Sequence, residues 1–345
     1  SNDAKGALLL EPTRSNLVTY SNNFDGTNMI NSAIITEFNT TETLSPEGIN
    51  NASKLTANSA FQRYSFFPTV GDNVDVSCSV FAKKGSASIF STLIIDKSGQ
   101  PISTKFDLLN GVIVEGGGSI EDYGNGWYKC SFSGSTSSGA TALQIRPFSH
   151  GSGFENGWTG SNYIYGFGAQ VEQGSYATSY IPTQGSAVTR SADVCNNGGN
   201  EQVINSTEGV LYAEISALAN DGTNRYLSIS DGSFTNRVSL LFSSVTSRIS
   251  GRIVVNGNGV FLNASNQTQE SNNKIAVKWK LNDYKLYING IQVGSNTSGG
   301  TFPLSTLSEL SFNDGGSGVA YMNANINDLR VYNTALTDAE LIALT

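Results

Sequence analysis

The chain has 345 residues, of which 14% are charged and 37 are glycine; average globular proteins carry about 25% charged residues and about 7% glycine. This is the profile of a turn-rich all-β protein with neutral polar surfaces, not of a helical one dominated by Ala, Glu, Lys and Leu. The net charge of −8 argues against nucleic acid, which needs a basic stripe to displace counterions, and no run of 18 apolar residues provides a membrane helix.

Residues 1–6 lack an apolar signal segment and an initiator Met, and read as a processed end or tag remnant; residues 1–20 are expected to form an N-terminal arm. Residues 74–83 (VDVSCSVFAK), 127–132 and 143–146 alternate apolar and polar, the period of half-buried strands. Asn110-Gly111 lies between two apolar runs and signals a hairpin, because both residue types tolerate positive φ. Gly116-Gly117-Gly118 reads as a loop, and Glu121-Asp122 as a turn. Cys78 and Cys130 sit in alternating runs and read as small buried residues or as a bridged pair; Cys195 is alone, and no CxxC spacing indicates zinc. Trp127 and Trp279 sit in strand-like runs and are expected in the core.

Residues 191–206, polar and glycine-rich, are expected to link a sandwich of residues 21–190 to a second of residues 207–345. In the second, Asn289-Gly290 between 285–288 and 291–293 is the stronger hairpin signal. A C-terminal helix is expected after Thr337 as N-cap, with Asp338 and Glu340 in its first turn and Leu341 and Leu344 facing inward. The expected architecture is two tandem antiparallel β-sandwiches and one short helix.

The single histidine, His150, restricts nucleophilic triads to one glycine-rich loop, where a solvated histidine is expected. That loop, residues 148–165, combines aromatics with amides and glycines, the composition for stacking on a sugar and bonding its hydroxyls. Trp158, Tyr163, His150 and Asn156 are its candidate ligand residues; the competing reading makes Trp158 a loop anchor packed on the sandwich, and Tyr163 with Tyr165 core or cross-strand packing. The wealth of Asn, Ser, Thr and Gly suits a neutral or weakly charged sugar.

Three segments carry a resemblance: residues 6–24, with Glu11-Pro12-Thr13-Arg14-Ser15-Asn16-Leu17; Asn125-Gly126-Trp127-Tyr128-Lys129-Cys130 followed by residues 165–183, with Ala169-Gln170-Val171-Glu172 and Thr178-Ser179-Tyr180-Ile181-Pro182-Thr183; and residues 326–341. Together they resemble bacteriophage and prophage virion proteins of the tail-fibre or head-spike type, in which a carbohydrate-binding-module-like jelly roll precedes a concanavalin A-like (laminin G-like) domain. The resemblance implies a virion or extracellular, non-catalytic protein. It would attach to a bacterial surface glycan, alongside other virion proteins, as a homo-oligomer of the trimeric kind. The rivals are a glycan-binding pair from a secreted polysaccharide-degrading enzyme and a purely structural virion protein. Concanavalin-like glycanases carry a Glu-x-Asp-x-(x)-Glu strand; here Glu214 is followed by Ser216 and Leu218, so the expectation is no enzyme. Turn residues Arg225, Asp231, Arg237, Asn313 and Asp314 match loops that hold sugar or Ca²⁺ in such domains. Related jelly rolls hold a structural Ca²⁺ near the first and last strands, where Asp25 and Glu172 are the matching acids.

Overall fold

The computed structural model describes residues 6–22, 24, 30–32, 34–57, 62–139, 142–150 and 162–345. The protein is nearly all-β; among the described residues there is one helix, Asp338–Leu344, and none long and apolar enough to cross a membrane. Two compact units form: Thr13–Ser191, and Ala192–Thr345 together with the N-terminal residues up to Pro12.

In the first unit, one six-stranded sheet runs Val112–Glu115, Pro101–Asp107, Ile89–Ile95, Gln144–His150, Gln62–Phe66, Ile30–Ser32. The other runs Ser119–Asp122, Trp127–Ser135, Asp75–Lys84, Tyr163–Gln173, Ser53–Ala57, Ile34–Glu37. Alternation decides what each strand buries: Val76, Cys78, Val80 and Ala82 enter the shared core, while Phe81 on the other face joins Trp127, Tyr165 and Phe167 in a second apolar layer. Cys130 pairs with Val80 and Cys78 with Phe132, so the two cysteines are diagonal in register; both are free thiols, and burial pushes both upward in pKa.

Two local expectations differ from the structure. Asn110-Gly111 closes a four-residue loop, not a two-residue turn, because Val112 pairs with Asp107. The Asp107 carboxylate accepts the Leu109 N–H at 2.8 Å and the Asn110 amide at 2.6 Å, and Leu108 is drawn into the core. Glu121-Asp122 belongs to the edge strand Ser119–Asp122; the turn begins after it, where Asp122 accepts the Gly124 N–H.

In the second unit the six-stranded sheet runs Leu8–Leu10, Ala324–Tyr332, Glu208–Ala217, Asn273–Lys280, Tyr284–Ile288, Ile291–Asn296. It faces a five-stranded sheet, Asn258–Ala264, Ile249–Val255, Arg237–Phe242, Arg225–Ser230, Glu309–Ser311. Ile288 pairs with Ile291 across Asn289-Gly290, and both turn residues take positive φ (51° and 83°) as a two-residue hairpin requires. Thr337 and Glu340 form a reciprocal capping box, and the helix buries Leu341 against Val210, Tyr212, Ala276 and Tyr287.

The N-terminal segment does not act as one arm of residues 1–20. Leu8–Leu10 pairs with Ala324–Tyr332 in the second unit, whereas Arg14–Asn16 pairs with Val188–Arg190 in the first. Much of the stretch 191–206 is also structured. Glu11 and Asp193 exchange bonds of 2.8 and 2.9 Å, Gly198 and Leu310 bond reciprocally, and Ile204 enters the core. Polar and glycine-rich composition there supplies turns that bond to the sheet edge.

Leu10 is 5% exposed and packs in the core of the second unit. Leu10→Ala is expected to destabilise the protein by about 2–4 kcal/mol, as buried Leu truncations do, measured by urea unfolding. A free arm would leave the midpoint unchanged.

Candidate functional site

In the strand Tyr163–Gln173, Ala169 and Val171 point into the core, so Gln170 and Glu172 point to the opposite face, where both are fully buried. Gln170 accepts the Ile181 N–H at 2.7 Å and donates to the Thr178 carbonyl at 3.2 Å. The two oxygens of Glu172 accept the Thr178 N–H at 2.8 Å and its hydroxyl at 2.5 Å, and Lys129 Nζ donates to the Thr178 carbonyl at 2.7 Å. Asn16 adds a third tie: its amide donates to the Ile181 carbonyl at 2.9 Å, and its Oδ1 accepts the Val18 and Val171 N–H groups. These bonds lay the segment that follows the strand back across the sheet. There Ser21 and Thr183 bond reciprocally and Tyr20 bridges to Gln184.

A groove of about 740 Å³ results. Tyr20, Asn22, Pro182, Thr183 and Gln184 form one wall, and Phe38, Asn39 and Asn51 the other. Phe38 is 42% exposed, an apolar ring free to stack. Asn22 Oδ1 accepts the Tyr180 hydroxyl at 2.5 Å. Asn51 donates to Glu47 at 2.8 Å, while its own Oδ1 is buried with no hydrogen-bond partner among the described residues. An unsatisfied buried acceptor costs about 1–3 kcal/mol unless a ligand or water supplies the donor. Apart from the Tyr20 phenol, the lining side chains are amides, a hydroxyl and apolar groups; they can hold a hydroxylated ligand but offer no acid–base pair.

The second unit carries a different polar layer. On the outer face of its five-stranded sheet, Ser228, Ser239, Arg237 and Arg252 alternate with core residues Leu227, Val238, Leu240 and Ile253. Loop 313–318 lies against this face. Gly315, at φ +75°, comes so close to Ser228 and Ser230 that a Cβ there would lie 3.0 Å from the first and 3.1 Å from the second. Arg237 donates to the Asp314 carbonyl and stacks on Phe234, 4.9 Å from guanidinium carbon to ring centre, with Tyr226 at 5.7 Å. Burial, and then the charge of Arg252, depress the Arg237 pKa.

Of the residues expected from sequence, Arg237, Asn313 and Asp314 meet in this layer. Arg225 lies at the opposite end of its strand, where it pairs with Asp221 at 2.8 Å and closes the 221–225 turn. Asp231 accepts from the Ser233 N–H and hydroxyl and from the Asn236 amide, so it shapes its own hairpin. Asn313 accepts the Gly315 N–H, and Asp314 accepts from Gly316 and Ser317. Tyr163 packs edge-on against Tyr165 at 5.4 Å under the Lys54 ammonium at 4.2 Å, so its ring is occupied. His150 ends the strand Gln144–His150 opposite Gln62. Trp158, Asn156 and Asp25 lie outside the described residues. Glu172 spends both oxygens on Thr178, and among the described residues no three His, Cys, Asp or Glu side chains gather as metal ligands. The groove residues Tyr20, Asn22, Phe38, Asn39, Asn51 and Gln184 were not among the expected ones. Their one sequence signal is that Tyr20-Ser21-Asn22 and Ile181-Pro182-Thr183 both belong to the segments carrying the resemblance.

Residues 200–342 match the family model of the concanavalin A-like lectin/glucanases superfamily. No curated protein matches the chain. Among solved structures, the CBM40 of Ruminococcus gnavus IT-sialidase bound to α2,3-sialyllactose is 18% identical, covering 40% of this chain and 83% of its own, with a TM-score of 0.35. Mouse laminin α1 chain, domains LG4-5, is 9% identical, covering 83% of this chain and 93% of its own, with a TM-score of 0.29.

Gly315→Ala is expected to cost about 1–3 kcal/mol in denaturant unfolding, through positive φ and the clash with the strand beneath. Gly117→Ala, with open space around its Cβ, is the matched control and should change little. Equal midpoints would mean that loop 313–318 does not clamp the sheet.

Proposed function

We propose that the protein is a non-catalytic glycan-binding subunit of a bacteriophage or prophage fibre or spike, attaching the particle to a bacterial surface sugar. The observation that carries the glycan part is the groove of the first unit: an exposed phenyl ring, four primary amides and an orphaned buried acceptor around a cavity of about 740 Å³. A ring stacks on the C–H face of a sugar, amides pair with its hydroxyls, and the unpaired Asn51 Oδ1 awaits a donor. The superfamily match over residues 200–342 supports a sugar-related second unit. The particle assignment rests on the three sequence segments described above. Weak single sites of this kind gain from multivalent display on an oligomer, such as a trimer. The same match fits a second reading, a glycan-binding pair from a secreted polysaccharide-degrading enzyme.

The full chain is expected to bind neutral surface polysaccharides on a glycan microarray. Phe38→Ala and Asn51→Ala should each weaken that binding by about 1–3 kcal/mol while leaving the melting temperature within a few degrees of wild type. Full binding by both folded variants would remove the groove from the site. Mass spectrometry of purified phage particles induced from the source bacterium separates the two readings: the chain belongs in the particle under the first, and in the culture medium under the second.

A further inference from the structure

We propose a second, chemically distinct site on the outer face of the five-stranded sheet of the Ala192–Thr345 unit: a site for a carboxylate-bearing sugar, in which Arg252 pairs with the carboxylate. The inference is independent of the groove in the first unit.

The register places two guanidinium groups on one face. Arg237 lies opposite Val254 and Arg252 opposite Ser239, so the arginines are diagonal neighbours on adjacent strands, about 7–8 Å apart at their bases. Arg237 has the Asp314 carbonyl and two aromatic rings. Arg252 is half-buried over the Phe261 ring at 4.5 Å, has no hydrogen-bond or ion-pair partner among the described residues, and its Nε is buried and unpaired.

Stacking occupies the flat face of a guanidinium and leaves its edge, the fork of N–H donors, free for a carboxylate held by two parallel bonds. The neighbouring acids are committed or remote. Asp314 is taken up by Gly316 and Ser317, and Glu309 faces outward on the same sheet three strands from Arg252. Two like charges on one face repel, and an anion between them relieves that repulsion.

The rim favours a sugar over a bare ion. Phe261 is 48% exposed beside Arg252. On the same face Asn263 accepts the Ser250 hydroxyl at 2.7 Å, and its amide N–H groups have no partner among the described residues. A ring for the sugar face, amide donors for hydroxyls and a guanidinium for the acid stand together. The overall charge of −8 repels anions at long range, so recognition is local and weak per site.

The test is NMR of arginine side-chain Nε–H signals in the full chain, titrated at constant ionic strength with D-glucuronate, D-glucose and acetate. Glucuronate is expected to shift the Arg252 signal saturably in the millimolar range, acetate to bind at least about tenfold more weakly, and glucose to leave the signal in place. Arg252→Lys, which keeps the charge and loses the fork, should weaken glucuronate about tenfold, and Arg252→Gln should abolish saturable binding. Phe38→Ala, in the other unit, should leave the glucuronate response unchanged, so loss of groove binding and loss of this site are read separately. No glucuronate shift, an equal response to glucose, acetate binding as tightly as glucuronate, or wild-type binding by a folded Arg252→Gln protein would each overturn the proposal.

Discussion

Three fully buried polar side chains, Asn16, Gln170 and Glu172, set the geometry of the first unit. Their amide and carboxylate groups hold backbone atoms of Val171, Thr178 and Ile181 across a sheet that would otherwise present its outer face to water. A satisfied buried network fixes one arrangement, because each bond lost leaves a polar atom stranded in a low dielectric. Ser21 and Thr183 extend the clamp, and one wall of the groove is its far end. The Ala-Gln-Val-Glu and Thr-Ser-Tyr-Ile-Pro-Thr segments therefore share a mechanical origin: alternate residues of the strand enter the core, and those between them grip the chain that follows.

The second unit solves the same problem with different material. Its five-stranded sheet buries the outer face beneath arginines stacked on aromatics and beneath loop 313–318, seated on Ser228 and Ser230 through Gly315. Inner layers in both units are aliphatic and aromatic and supply stability. The outer layers mix amides, hydroxyls, guanidinium groups and rings, groups that can hydrogen-bond as well as pack.

Strand positions and the helix were legible because period-two alternation, the Asn289-Gly290 turn and the Thr337–Glu340 cap are local signals. Positive φ at both 289 and 290 is read from neighbouring residue types alone. The groove was not legible: Tyr20 and Gln184 stand far apart in sequence, and their adjacency depends on the buried clamp. Arg237 stood out as a turn residue, but Arg252 did not, because shared membership of a face needs the register between strands. Asp107 shows the limit of dipeptide signals, since its carboxylate enlarges a turn that Asn110-Gly111 would have closed alone.

Leu8–Leu10 completes the sheet of the second unit, and Arg14–Asn16 then pairs with Val188–Arg190, so the first unit is an insertion between the first strand of its neighbour and the remainder. During synthesis residues 13–191 emerge as a whole sandwich able to fold first, while Leu8–Leu10 waits for Ala324–Tyr332 to emerge after it. Folding of the insert brings its two ends together in an antiparallel pair. The ring that the waiting strand must close is then as short as the connections on either side, and the entropy of looping the intervening chain has already been met by the insert's own core.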